Sequence, residues 1–197
     1  MIDLLENILV PGGRARISPY VQDAQLDILF GSVPDPLNRH DSVRGILKNH
    51  ENELQKLADT YVSFANSGRN FDPATYQTKE FLELYLSCYF TTNLSKIQLC
   101  LLDLVRTKKI TSTLKVVDIG VGAGTTAVAV LDFMLAWATA NILTGTLFPV
   151  ESLVIECHDI SQVCLDMAKN AVNAFCDAAD CRRCPQAIKM PASLIPM

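Results

Sequence analysis

The stretch "VVDIGVGAG", Val116 to Gly124, decides how this chain reads. A short apolar run ends in an acid, Asp118, and passes directly into three alternating glycines, Gly120, Gly122 and Gly124. Glycine permits positive φ and close approach of another group to the backbone. A buried strand that enters such a turn and leaves as a helix makes a ligand site at the carboxyl edge of a sheet. The helix behind the turn contributes unpaired N–H groups. The bland alternative is a tight turn in an α/β core with no ligand.

Reading outward, "TTAVAVLDFMLAWATANIL" (Thr125 to Leu143) is apolar almost throughout and close to the length of a membrane span. Asp132 interrupts it and no basic flank follows. It predicts a core helix covered on both sides rather than a membrane segment. "SLVIECHD" then reads as a second buried strand ending in Asp159, and "SQVCLDMAKNAVNAF" as a helix capped by Ser161. That helix is expected to face inward through Val163, Leu165, Ala168, Val172 and Phe175. Strand, helix, strand, helix is the start of a doubly wound parallel sheet. In that layout an acid ending the second strand accepts hydrogen bonds from ribose hydroxyls, and Asp159 stands there. Glu151 and Glu156 are worse-placed substitutes.

The first 113 residues have a different texture. Prolines and glycines break the first 40, with "VQDAQLDILFG" a short helix ended by Gly31. From Asp41 to Gly68 apolar residues recur at helical spacing, with Asp41 or Ser42 as cap. A second helix is expected to open at Asp72–Pro73, and a third after Asn93 with Ile97, Leu99, Cys100, Leu101, Leu104 and Val105 inward. The chain therefore divides into a mostly helical region, 1–113, and a partial Rossmann-like α/β domain, 114–197.

The 197 residues are 49% hydrophobic and 19% charged, with a net charge of −4. Such a balance gives no overall drive towards nucleic acid. Seven cysteines, an odd number, and a start ("MIDLLENILVPGG") without a basic segment or cleavage site predict a reducing, cytoplasmic setting. Cys176, Cys181 and Cys184 offer three sulfurs where a metal site wants four ligands in paired spacing, so no metal is expected. No Ser-His-Asp or Cys-His arrangement stands out, and no catalytic residue is assigned.

A nicotinamide or flavin site wants G-x-G-x-x-G. Here the third glycine comes one residue early, and Thr125 occupies its place. "VVDIGVGAG" instead resembles motif I of class I S-adenosylmethionine-dependent methyltransferases: an apolar pair, an acid, then G-x-G-x-G. "CHDISQVCLDMAKNAV" resembles the family's second motif through Asp159, Ile160, Ser161, Leu165, Ala168 and Lys169. The resemblance covers about residues 115–175. It implies S-adenosyl-L-methionine as cofactor, with Gly120, Gly122 and Gly124 beneath its methionine part. It further implies Asp118 orienting the loop or reaching the amino group, Asp159 on the ribose hydroxyls and Ile160 against the adenine. The segment from Gly124 to Asp159 is longer than the related dinucleotide pattern expects. The helical lead-in, "YQTKEFLELYLSCYFTTNLSKIQLCLLDLV", is faintly similar to methyltransferase-like proteins of the small ribosomal subunit.

The family's sheet has seven strands, and the residues after Ile119 are too few for the remainder at about five residues per strand. The reading is thus the front part of a methyltransferase of unknown acceptor: a fragment, a split enzyme whose sheet a partner chain completes, or a degenerate protein. The alternative to an enzyme is a non-catalytic S-adenosylmethionine-binding or assembly protein. Ribosome or nucleic acid remains open as a partner without support from charge. With so little sheet, the helix Thr125–Leu143 and the second strand are expected to expose apolar surface.

Overall fold

The computed structural model describes residues 1–66 and 78–179. In chain order these form α1 (Ile2–Leu9), α2 (Pro19–Phe30), α3 (Arg39–Asn49), α4 (Glu51–Asn66), α5 (Lys79–Cys88) and α6 (Phe90–Arg106). Then follow β1 (Thr113–Ile119), α7 (Thr125–Thr144), β2 (Ser152–His158) and α8 (Gln162–Ala178). The fold is mixed α/β, mostly helical, and its two strands pair in parallel, from Thr113 opposite Ser152 to Ile119 opposite His158.

Local chemistry accounts for several boundaries. Ser18 caps α2, accepting from the Val21 amide at 3.2 Å, with Pro19 in the first turn. Gly31, at φ +60°, ends it as expected. Thr78 caps α5 by accepting from the Phe81 amide at 3.2 Å; the expected start at Asp72 and Pro73 lies outside the described residues. The single helix read from Asp41 is two, α3 and α4, which meet at His50, and α3 begins at Arg39. Neither glycine nor proline marks that break in the sequence.

Helix α7 is the hub. It packs against α6 and α1 on one side and α8 on another, while α2 lies along α8. Val128, Val130, Phe133 and Met134 are at most 1% exposed and share one core with Leu5, Val21, Leu86, Phe90, Leu94, Leu102 and Phe175. Burying each such side chain stabilises the fold by about 1.5–3 kcal/mol. The helical region and the βαβα segment thus close on a common core. The expected exposure of Thr125–Leu143 is not found, because the N-terminal helices cover it. Its exposed apolar residues, Ile142 and Leu143, lie in the last turn. The helix is long and apolar enough to cross a membrane by composition alone, yet in this fold it is a core helix.

Two inward faces differ from the sequence reading. In α6 the buried line is Phe90, Leu94, Gln98, Leu101, Leu102 and Val105, while Leu99, Cys100 and Leu104 are exposed. In α8 Val163 is exposed, and Cys164, Ala168, Val172 and Phe175 face inward. Both helices carry apolar residues around much of their circumference, so spacing alone leaves the face ambiguous.

One face of the sheet, with Leu114, Val116, Ile155 and Cys157, packs against the helical core. The other carries Lys115, whose Nζ lies 2.7 Å from Glu156 Oε1, together with Val117 and Ile119, both exposed. Parallel sheets are ordinarily covered on both faces. Among the described residues this one is covered on one.

Candidate ligand site at the glycine loop

The turn from β1 to α7 is built from alternation. Val121 and Ala123 plug into the core at 4% and 1% exposure, while Gly120 is exposed, Gly122 half-buried and Gly124 buried. Gly120, Gly122 and Gly124 have φ of +76°, +53° and +79°. The ladder runs on past the strand ends: the His158 carbonyl accepts from the Gly120 amide at 2.8 Å and the Val121 amide at 3.2 Å. The Gly124 amide donates to the Val121 carbonyl at 2.9 Å and closes the turn.

The glycines serve different ends. A Cβ on Gly120 would meet no atom within 4 Å, so the space above it is open. A Cβ on Gly124 would stand 2.8 Å from Ala168 Cα and 3.1 Å from the Ala168 carbonyl oxygen. What passes closest to this loop is therefore helix α8 of the same chain. Gly124 lets α7 and α8 cross, and Gly120 and Gly122 leave the other side of the loop open.

The two acids flank the loop. Asp159 clamps it: Oδ2 accepts from the Gly122 amide at 3.2 Å and Oδ1 from the Ser161 amide at 2.9 Å. Each oxygen keeps a lone pair for another donor. Ser161 caps α8, as expected, through the Cys164 amide at 3.4 Å. Asp118 lies on the helix-covered side of β1, opposite Cys157. Burial pushes its carboxyl above the usual carboxylate range and the charge of Asp159 adds to this, while a hydrogen bond from Thr126 opposes it. Asp118 Oδ2 is buried with no hydrogen-bond partner, and so is the hydroxyl of Thr125, the first residue of α7. Burial, and then the charge of Asp118, push the Cys157 thiol up, so it is a poor nucleophile.

Ile160 and Ile119 are 93% and 83% exposed beside the loop. Of the substitute acids, Glu156 is committed to Lys115 on the open face, and Glu151 is exposed before β2. Cys181 and Cys184 lie outside the described residues; within them no group of three His, Cys, Asp or Glu side chains could hold a metal. Sequence reasoning missed the influence of Thr126 on the Asp118 carboxyl, whose signal was the paired Thr125–Thr126 directly after the third glycine.

This arrangement favours a particular ligand chemistry. A helix N-terminus behind a glycine turn ordinarily suits phosphate. Two carboxylates at the rim repel it and instead attract donors, hydroxyls or an ammonium group. An orphaned carboxylate oxygen, open space above Gly120 and an exposed apolar side chain at Ile160 come together at this edge of the sheet. No family model matches the chain, and neither a curated protein nor a solved structure matches it.

Proposed function

We propose that this chain binds S-adenosyl-L-methionine at the carboxyl edge of β1 and β2, as the cofactor-binding part of a Rossmann-like class I methyltransferase. One observation carries the reading: Asp118 and Asp159 flank a loop whose three glycines all take positive φ. Gly120 and Gly122 lie beneath the methionine end, with Gly124 holding the loop against α8. The unpartnered oxygen of Asp118 takes the amino group, the remaining lone pairs of Asp159 take the ribose hydroxyls, and Ile160 covers the adenine. When bound, the cofactor supplies an electrophilic methyl group on a sulfonium. This chain's residues bind and orient it, and proximity to an acceptor supplies much of the rate. A cytoplasmic, reducing setting belongs to the same proposal, supported by the free thiols Cys88, Cys100 and Cys157.

A second reading, a non-catalytic cofactor-binding or assembly protein, draws on a separate observation. The sheet has two strands among the described residues and one face uncovered, with Val117 50% and Ile119 83% exposed.

Calorimetric titration with S-adenosylmethionine, its demethylated product and NAD separates the readings. The expected result is binding of the first two and none of NAD. Asp159→Asn is expected to weaken binding about tenfold, the loss of one charge-assisted hydrogen bond. Binding without transfer of labelled methyl groups to total RNA or protein selects the second reading. Failure of both adenosyl ligands to bind removes the first.

A further inference from the structure

Helix α3 is held by its two ends. Its first residue, Arg39, reaches back to the start of α2. There Nη1 forms an ion pair with Asp23 at 2.5 Å, and Nη2 donates to Gln22 Oε1 at 2.9 Å and to the Pro19 carbonyl at 3.0 Å. His50, directly after its last residue, stacks on Phe30 at the end of α2, with ring centroids 4.4 Å apart and planes 19° apart. Between these anchors the Ser42 hydroxyl accepts from the Asp35 amide at 2.9 Å, an exposed contact with the loop after α2. Helix α3 itself contributes no buried residue. Its N-cap, Asn38, makes no side-chain capping bond. Gly45 stands in its middle, where a Cβ would meet nothing within 4 Å, so it weakens the helix with no packing reason. Helices in proteins draw most of their stability from a packed apolar face, and this one buries none.

The same ends reach two walls of a cavity. It measures about 380 Å³ and lies where α2, α5 and α8 meet, with Asp27 and Ile28 from α2, Lys79 and Glu83 from α5, and Met167 and Asn170 from α8 among its lining. Phe30, on which His50 stacks, follows Asp27 within one turn of α2. Helix α4, which begins at the residue after His50, packs on α5. The arm formed by α3 and α4 thus ties the α2 wall to the α5 wall. Helices α2 and α8 pack closely on each other, and α5 touches each of them less extensively.

We propose that α3 is a strap that opens ahead of the core and, when closed, braces α5 against α2 beside this cavity. The proposal is independent of the cofactor reading. Opening gives up the Arg39 contacts and the His50 stack but no fully buried apolar side chain, whereas opening α7 exposes the centre of the core. With the strap open, α5 loses the tie that α4 gives it to α2, and the cavity widens.

Amide hydrogen exchange of the full chain, resolved by helix, tests this. In the wild type α3 is expected to exchange about a hundredfold or more faster than α7. Gly45→Ala is expected to slow α3 about four- to fivefold, to slow α5 with it, and to leave α7 unchanged. Arg39→Met is expected to speed α3 about tenfold, and α5 with it, again sparing α7. Equal protection of α3 and α7, or a Gly45→Ala effect shared equally by both, overturns the strap, because α3 then opens only with the whole fold. A change in α3 that leaves α5 untouched in both variants overturns the brace. Gly45→Ala adds stability, so it decides both points even where Arg39→Met does not fold.

Discussion

Gly124→Ala is expected to lower the melting temperature by about 5–15 °C. Two costs coincide. The residue sits at φ +79°, where an L side chain costs about 1–2 kcal/mol. The new Cβ would also stand 2.8 Å from Ala168 Cα and 3.1 Å from its carbonyl oxygen, so backbone rather than a flexible side chain must give way. Overpacking of that kind costs about 1–3 kcal/mol. Gly120→Ala is the control. It carries the positive φ, +76°, with nothing within 4 Å, so about 1–2 kcal/mol is expected. Adding Ala168→Gly to Gly124→Ala should rescue little, because the Ala168 Cα and carbonyl remain. Thermal melts of the three variants decide the matter. Equal losses at Gly120 and Gly124 would show that α8 does not press on the loop.

Asp132→Ala is expected to cost about 2–4 kcal/mol in urea unfolding. Asp132 is 4% exposed in the middle of α7, where its Oδ1 accepts from the Ser18 hydroxyl at 2.6 Å and its Oδ2 from the Gln98 amide at 2.8 Å. Alanine would strand the Gln98 amide, itself 3% exposed, and remove the partner of the residue that caps α2. The pH dependence has a definite sign. Burial raises the Asp132 carboxyl above its ordinary value, and the two hydrogen bonds only partly oppose this. A carboxyl raised on folding stabilises the native state most below its unfolded value, and that contribution is lost as pH rises through the folded value. Asp132→Asn removes this loss and keeps a polar partner, provided Gln98 turns its amide to accept. The wild-type minus Asp132→Asn stability difference should therefore fall as pH rises from acid towards neutral. A difference that stays flat with pH would show that Asp132 does not titrate between the folded and unfolded states.

How much of this was legible depends on whether the determining group lies nearby in sequence. The β1–glycine–α7 unit and the Ser161 cap were readable because each rests on residues within a few positions of one another. The reason for Gly124 was not. Its neighbour Ala168 is brought up by the packing of α8, and spacing gives no hint of it. Asp132 was visible as an acid in an apolar run, but Ser18 and Gln98, which satisfy it, come from α2's cap and from α6. The exposure expected for α7 was misjudged for a related reason, since its cover comes from α1, far earlier in the chain, and from α6, on the other side of β1. Asp159 was placed at the loop, but its clamp on the Gly122 amide became evident only from the register of β1 with β2.

The hydrogen bond from Ser18 to Asp132 spans 114 residues. At synthesis rates of 5–20 residues per second, roughly 6–23 seconds separate the making of its two ends. Throughout that interval the inner faces of α1 and α2, with Leu5 and Val21, have no α7 to meet, and in its last part the same holds for α6 with Leu102. The helices made first are thus expected to become fixed late, once Val128 to Trp137 clear the ribosome. Until then the nascent chain presents apolar surface to chaperones and proteases, and a pause in translation before Phe133 would lengthen that exposure.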